Sequence, residues 1–390
     1  MINIFNYKRS IGIFKWHAKG ENQCSILIIE TERCGKFFDE FSLDKSYRVR
    51  APWEGGVVHV NIEIIKYFIY FLFKKSSFSR RMFMSAWVYA MSKATKANKI
   101  VLFYLSGQPL FSTVAQLNHN ISIHCIYPYL VTDNKGISIH KNISHYVHDN
   151  TDVSRLLNRN VSQENIVITG SPYLSLYKRC LNGKHISKQY DICLISQVVE
   201  ERLRGADYLN GYRRPLLTLD KSQYHQKVDR AERNLLETLN SLYRDNLFKG
   251  RLCIALRHSG SKEIIEKEKN YFLNILTHVD VNFIENNPQL YSSYYAMEQS
   301  SVGLTLNSTV AYNMRYIGIE SIFAIDKDIE YGPSIADCQY HFDNGNSEEL
   351  LDVLNQFSRK NSGVTSDLNV HHQGNKCNAI ENICVLLNNQ

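Results

Sequence analysis

Short apolar runs that stop at small polar residues, with helical patterns between them, recur along the whole chain. In the first half the runs are Ser25 to Ile29, ending in Glu30-Thr31-Glu32; Lys99 to Leu105, followed by Ser106-Gly107-Gln108-Pro109; and Ile121 to Tyr127, broken at Pro128. His145 to His148 follows, then Asn165 to Thr169, stopped by Gly170-Ser171-Pro172. Helical spacing fills intervals such as Phe83 to Ala97 and Thr151 to Asn158. A strand that is apolar at every position is buried on both faces, and strands joined through helices run parallel. The pattern therefore predicts a mostly parallel sheet covered on both sides.

The polar stretch Lys178 to Gln189, containing Gly183, reads as a linker, after which the alternation restarts. The second set of runs is Tyr190 to Gln197, Arg251 to Leu256, Val281 to Ile284, Leu304 to Leu306 and Ser321 to Ile325. Helices are expected over 228–246, 289–299, 347–359 and 378–387. The first has Val228, Ala231, Leu235, Leu236, Leu239 and Leu242 close to helical spacing. A chain of 390 residues exceeds one ordinary core. The expectation is an α/β chain of two doubly wound Rossmann-like domains, 1–177 and 190–390, joined by a linker at 178–189. Such domains bind ligands beyond the carboxyl ends of their strands, here across a cleft between them.

The turn Leu304-Thr305-Leu306-Asn307-Ser308-Thr309-Val310-Ala311-Tyr312 is the most pointed of these junctions. An apolar strand runs into three small polar residues and a helical pattern starts at once. Hydroxyls of Ser308 and Thr309 and the free N–H groups of a new helix then converge on one point, which suits an anion. Helix capping alone would also account for Ser308. Arg257-His258-Ser259-Gly260 follows another strand in the same manner, and a solvated loop is its plain reading.

Composition narrows the partners. The formal charge of +7 is modest for this length, and no basic tail, zinc-finger or RNA-binding signature appears, so nucleic acid is not an expected partner. Nine cysteines with no C-x-x-C pair argue against a disulfide framework or structural zinc; Cys125, Cys193 and Cys253 read as buried thiols. With no signal-peptide pattern in Met1 to Gly20, a cytoplasmic location is expected. Ile64 to Phe73 is too short to span a bilayer, which takes about 20 residues. With Lys74, Lys75, Arg80, Arg81, Lys93, Lys96 and Lys99 behind it, the segment reads as a buried helix with a solvated end. A secondary reading is an aromatic and basic face resting on the inner face of the cytoplasmic membrane.

Taken in order, Ile168-Thr169-Gly170-Ser171-Pro172, Ile192 to Gln197, Arg257-His258, the helix Tyr291 to Ser300 and Asn307-Ser308-Thr309 with Gly318 resemble GT-B glycosyltransferases of bacterial surface-carbohydrate synthesis. The likeness is to the group holding sialyl- and polysialyltransferases, Kdo transferases and CDP-glycerol-type polymerases. It covers Asn142 to Ile325 by motif and the first 140 residues by architecture. Two positions depart from the group's pattern: Ser259 stands where a proline follows the histidine, and Asn313 where a glutamate follows the Ser-Thr pair.

The resemblance implies transfer of a sugar from a nucleotide donor, with inversion and without a metal or other cofactor. A CMP-linked acidic sugar is the favoured donor. The acceptor would be a saccharide or lipid-linked glycan such as capsule, O-antigen or lipooligosaccharide. Alternatives are polyol-phosphate transfer of teichoic-acid type, a sugar-nucleotide 2-epimerase, and a non-catalytic glycan- or partner-binding module. Departing phosphate needs charge stabilisation and the acceptor hydroxyl needs a base. Arg257 can pair with phosphate oxygens and His258 can donate to the same group. Ser259, Asn307, Ser308, Thr309, Ser196 and Gln197 would complete the donor site. Gly170 and Ser171 would face the cleft. The base implied is an acidic residue of the first domain: Glu54 in Trp53-Glu54-Gly55-Gly56, with Asp133 and Glu30 as competitors. Asp326-Lys327-Asp328 reads as a charged turn, His371-His372 as a solvated loop and His124 as a satisfied core residue.

Overall fold

The computed structural model describes residues 14–16, 23–30, 37–50, 58–75, 80–103, 114, 120–127, 143–198, 203, 219–287, 291–327, 329, 340–362 and 377–389. Two compact units account for the chain. One is Met1–Leu176 with Asn378–Gln390, the other Tyr177–Cys377.

In the first unit β1 (Phe14–Trp16) and β4 (Val58–Val60) form a separate parallel pair. The main sheet has β2 (Ile26–Glu30), β3 (Ser46–Arg50), β5 (Lys99–Phe103), β6 (Ser122–Ile126), β7 (Ser144–Val147) and β8 (Ile166–Ile168). All are parallel, in the order β3-β2-β5-β6-β7-β8. Ile26, Leu27, Ile28 and Ile29 are all buried, as an unbroken apolar strand under helices on both faces must be. The helices are α1 (Ile62–Lys75), α2 (Arg80–Thr95), α3 (Asn150–Leu157) and α4 (Pro172–Leu181). Asp149 caps α3 by accepting from the Thr151 and Asp152 N–H groups.

β3 is absent from the sequence reading because Ser-Tyr-Arg-Val-Arg buries only Val49; it is a polar edge strand held by β2. α1 also differs from expectation. It is buried along one side only, and Ile62, Ile65, Ile69 and Phe73 are exposed. Lys99, counted among the basic residues behind it, is buried, and its Nζ donates to the Leu387 carbonyl.

The second unit holds β9 (Tyr190–Ile195), β10 (Leu252–Ala255), β11 (Val281–Ile284), β12 (Ser300–Thr305), β13 (Ser321–Ile325) and β14 (Tyr340–Asp343). They form one parallel sheet in the order β11-β10-β9-β12-β13-β14. Renumbered from its first strand this is 3-2-1-4-5-6, the order of a dinucleotide-binding Rossmann sheet. The chain starts at β9, builds outward through β10 and β11, then returns to place β12 on the other side. β9 and β12 thus flank the point where the winding reverses. Helices α5 (Leu219–Arg244), α6 (Lys262–Leu273), α7 (Ser292–Glu298), α8 (Thr309–Met314) and α9 (Ser347–Ser362) complete the unit. Ala231, Leu235, Leu236, Leu239 and Leu242 of α5 all reach the core, as their spacing requires.

Two features of the domain division differ from the sequence expectation. Helix α4 runs through Lys178 to Leu181, so the start of the presumed linker is helical. The boundary after Leu176 lies inside this helix, and Tyr177 belongs to the second unit, stacked 5.5 Å from Tyr294. The last helix, α10 (Ala379–Asn389), belongs to the first unit, not the second. Ile380, Ile383 and Leu387 are fully buried, each contributing about 1.5–3 kcal/mol of apolar burial. Asn382 Nδ2 donates to the Thr169 carbonyl at 3.1 Å and Asn388 Nδ2 to that of Ser42 at 3.1 Å.

Candidate functional site

The carboxyl ends of β10, β9 and β12 lie side by side, with Ala255 paired to Ile195 and Leu304 to Leu194. Neighbouring strands are about 4.8 Å apart, so the loops that follow them span roughly 10 Å. Those loops are Leu256 to Gly260, Ser196 to Val198 and Leu306 to Ser308. The polar residues picked out by sequence are therefore assembled at the winding reversal of the second unit.

Hydrogen bonds tie the first two loops together. Arg257 Nη1 donates to the Gln197 carbonyl at 3.0 Å, while the rest of the exposed guanidinium keeps N–H groups for a ligand. His258 Nε2 lies 3.0 Å from the Val198 carbonyl. A carbonyl only accepts, so Nε2 carries hydrogen and Nδ1 is the ring atom left by this bond. It is an acceptor in neutral imidazole and a donor in imidazolium. Asn286 Nδ2 donates to the Arg257 carbonyl from the end of β11 at 2.5 Å.

Beneath these loops sits a residue the sequence reading missed. Glu268 of α6 is completely buried, and its carboxylate accepts from Ser196 Oγ, from the Arg257 N–H at 2.9 Å and from the His258 N–H at 3.0 Å. Buried Glu232 of α5 accepts from the Gln197 N–H at 2.7 Å. Two carboxylates thus fix the backbone of both loops through charge-assisted bonds. Ser196 is thereby committed beneath the loop, its Oγ donating to Glu268 and accepting from the Val198 N–H. A sequence signal existed: Ile265, Glu268 and Phe272 fall on one helix face, all buried, so a carboxylate lies in the apolar stripe.

On the other side, Ser308 precedes α8 with extended backbone (φ −115°, ψ 123°) and its side chain makes no cap hydrogen bond. Simple capping is therefore not what the Ser308 hydroxyl does. Asn307 and Thr309 are half-buried beside it. Asn313, at the departure from the resembling group, is fully buried and donates through Nδ2 to Tyr294 Oη at 3.1 Å, joining α8 to α7. Ser259, at the other departure, is exposed in the loop leading to α6.

The sequence matches no protein-family model and no curated protein. Solved structures do match its fold. A Neisseria meningitidis UDP-GlcNAc 2-epimerase bound to UDP-GlcNAc aligns with TM-score 0.52 and 12% identity, covering 94% of this chain and 100% of that one. The 2-epimerase of Methanocaldococcus jannaschii gives 0.52 and 11%, with 93% and 98% covered. The lipopolysaccharide outer core galactosyltransferase WaaB, apo form, gives 0.52 and 10%, with 93% and 98% covered. The fold is GT-B. Two Rossmann-like units, each built on a parallel six-stranded sheet, are its components here.

Within this GT-B chain the remaining sequence candidates separate. Ser171 is fully buried and its Oγ accepts from the Leu174 N–H at 3.3 Å, so it caps α4, while Gly170 (φ 97°) makes the left-handed turn before it. Glu54 and Asp133, proposed as bases, lie outside the described residues, as do Asp328, His371 and His372. Glu30 is ion-paired with Arg48, whose Nη1 also reaches Asp39 at 2.7 Å. Asp326 accepts from Asn344 Nδ2 at 3.1 Å. Among the described residues no group of three His, Cys, Asp or Glu is placed to hold a metal ion. His124 is a satisfied core residue, bonded to Ser122 Oγ at 2.8 Å and Tyr146 Oη at 2.9 Å. Burial, and secondarily the Lys99 charge, push its pKa down to about 4.

Proposed function

We propose that the chain is a glycosyltransferase that moves a sugar from a nucleotide-activated donor to a growing bacterial surface glycan. The observation that carries this reading is the row of Arg257-His258, Ser196-Gln197 and Asn307-Ser308-Thr309 at the winding reversal of the second unit. There Arg257 supplies two N–H groups to the phosphate, His258 can donate to the same group, and Ser308 and Thr309 offer hydroxyls. Charge developing on the departing phosphate is what such donors stabilise. Glu54, or failing that Asp133, is the base for the acceptor hydroxyl in this reading. These donors need no metal to act.

The resemblance favours a CMP-linked acidic sugar with inversion. The 2-epimerases with the same fold are described with UDP-GlcNAc and with UDP. The donor is accordingly a pyrimidine nucleotide sugar, and the CMP and UDP forms are the two to compare. Their fold likeness also raises C2 epimerisation as a second reading. Moving a proton on and off carbon needs free acid–base groups near the sugar. Among the described residues at these strand ends, Glu268 accepts from loop N–H groups through both oxygens and Glu232 from the Gln197 N–H through one.

The deciding experiment incubates the full chain with CMP-sialic acid, CMP-Kdo or UDP-hexoses, with and without saccharide acceptors, and resolves the products. Release of CMP or UDP that rises with acceptor supports transfer. Conversion of UDP-GlcNAc to its C2 epimer without nucleotide release overturns it in favour of the epimerase.

A further inference from the structure

Helix α1 carries an outer face that no described residue of its own unit covers. Its exposed positions are Ile62, Ile65, Lys66, Ile69, Tyr70, Phe73 and Lys74, all apolar, aromatic or basic. The exposure is large, 68% at Ile62 and 78% at Phe73, and it runs the length of the helix, about 21 Å at 1.5 Å per residue. The opposite side is anchored: Ile64 and Phe71 are buried, and Tyr67, Phe68 and Leu72 pack on the first unit's core. The outer face is therefore turned outward. Tyr70 stacks on Tyr89 of α2 with ring centroids 6.3 Å apart. The Lys74 and Lys93 ammonium groups lie over these two rings at 5.7 and 5.8 Å, placing charge along the aromatic rim.

We infer that this face of α1 docks the protein on an anionic lipid surface. Aliphatic side chains flanked by lysines, with no exposed carboxylate on the helix, suit the boundary between acyl chains and negatively charged headgroups. Among the described residues no helix is long and apolar enough to cross a membrane, so α1 lies in the plane of the interface. A second copy of the chain is the competing occupant, and the test below separates it. The inference does not depend on the transferase reading, since its test uses neither nucleotide nor turnover.

The test is flotation of the full chain with phosphatidylcholine vesicles, with and without phosphatidylglycerol. It is run on wild type, on Ile69→Glu with Phe73→Glu, and on Lys66→Glu with Lys74→Glu, each checked for an unchanged Tm. All four sites are exposed, so the fold is retained. Binding to the anionic vesicles only, weakened on the order of tenfold or more by either pair and by raised salt, is the expected result. Failure of wild type to float, or equal flotation of wild type and both variants, overturns the inference. So does a wild-type dimer in solution that the Ile69/Phe73 pair disperses without any vesicle binding.

Discussion

Glu268→Gln isolates the device that shapes the candidate site. One carboxylate oxygen of Glu268 accepts from Ser196 Oγ and the Arg257 N–H, and the other from the His258 N–H. Glutamine keeps one acceptor. If the amide oxygen serves Ser196 and Arg257, the amide NH2 confronts the His258 N–H, and a buried donor is left without a partner, costing about 1–3 kcal/mol. The two surviving bonds lose their ionic character, which costs about 1 kcal/mol more, and the variant avoids desolvating a charge, which returns part of it. A net loss of about 2–3 kcal/mol is expected, a large fraction of the stability of an ordinary domain. The His258 backbone, released from its anchor, no longer sets the imidazole against the Val198 carbonyl. Urea denaturation followed by circular dichroism reads the stability, and nucleotide titration of the folded variant reads the site. A variant that unfolds at the wild-type urea concentration and retains wild-type nucleotide affinity refutes the claim that Glu268 organises these loops.

Three further outcomes follow from the geometry. His124 is held near pKa 4 in the folded chain against about 6.5 unfolded, so its contribution is complete above pH 6.5 and lost as pH falls through 4, about 3 kcal/mol in all. Urea midpoints between pH 7 and 4.5 should fall less steeply for His124→Gln than for wild type. Tyr177→Phe removes the 2.5 Å bond from Tyr177 Oη to Glu298 Oε2 and should cost about 1.5–3 kcal/mol by urea denaturation. Arg257→Lys, at an exposed position, should leave Tm within about 1 °C yet weaken phosphate-bearing ligands several-fold in calorimetry, because an ammonium cannot reproduce the two-pronged guanidinium contact.

Much of the architecture was legible because parallel strands buried on both faces announce themselves. The runs at Ile26, Ile192, Leu252 and Ile322 are apolar at consecutive positions, and each became a central strand. Two of the four edges were not legible: β3 and β14 bury one residue each, Val49 and Phe342, and leave no periodic trace, whereas the edges β8 and β11 show as apolar runs. Periodicity told that α10 is buried but not against which unit, since an amphipathic stripe carries no address. The strand-end motifs were visible, but their support was not. Glu268 sits in the charged run Lys-Glu-Lys-Asn, which reads as solvated surface until its alignment with Ile265 and Phe272 is noticed. Ser171 shows the reverse error, a conspicuous Gly-Ser-Pro turn whose serine is spent on a helix cap.

The most direct test of the central claim is calorimetric titration of CMP, CDP, UMP, UDP and GDP into the full chain and into Arg257→Ala, His258→Ala and Ser308→Ala. The account predicts binding of a pyrimidine nucleotide, weakened roughly tenfold by the loss of each phosphate contact, about 1.4 kcal/mol apiece. Nucleotide binding that all three variants leave unchanged, or no binding by wild type at millimolar nucleotide, would contradict it.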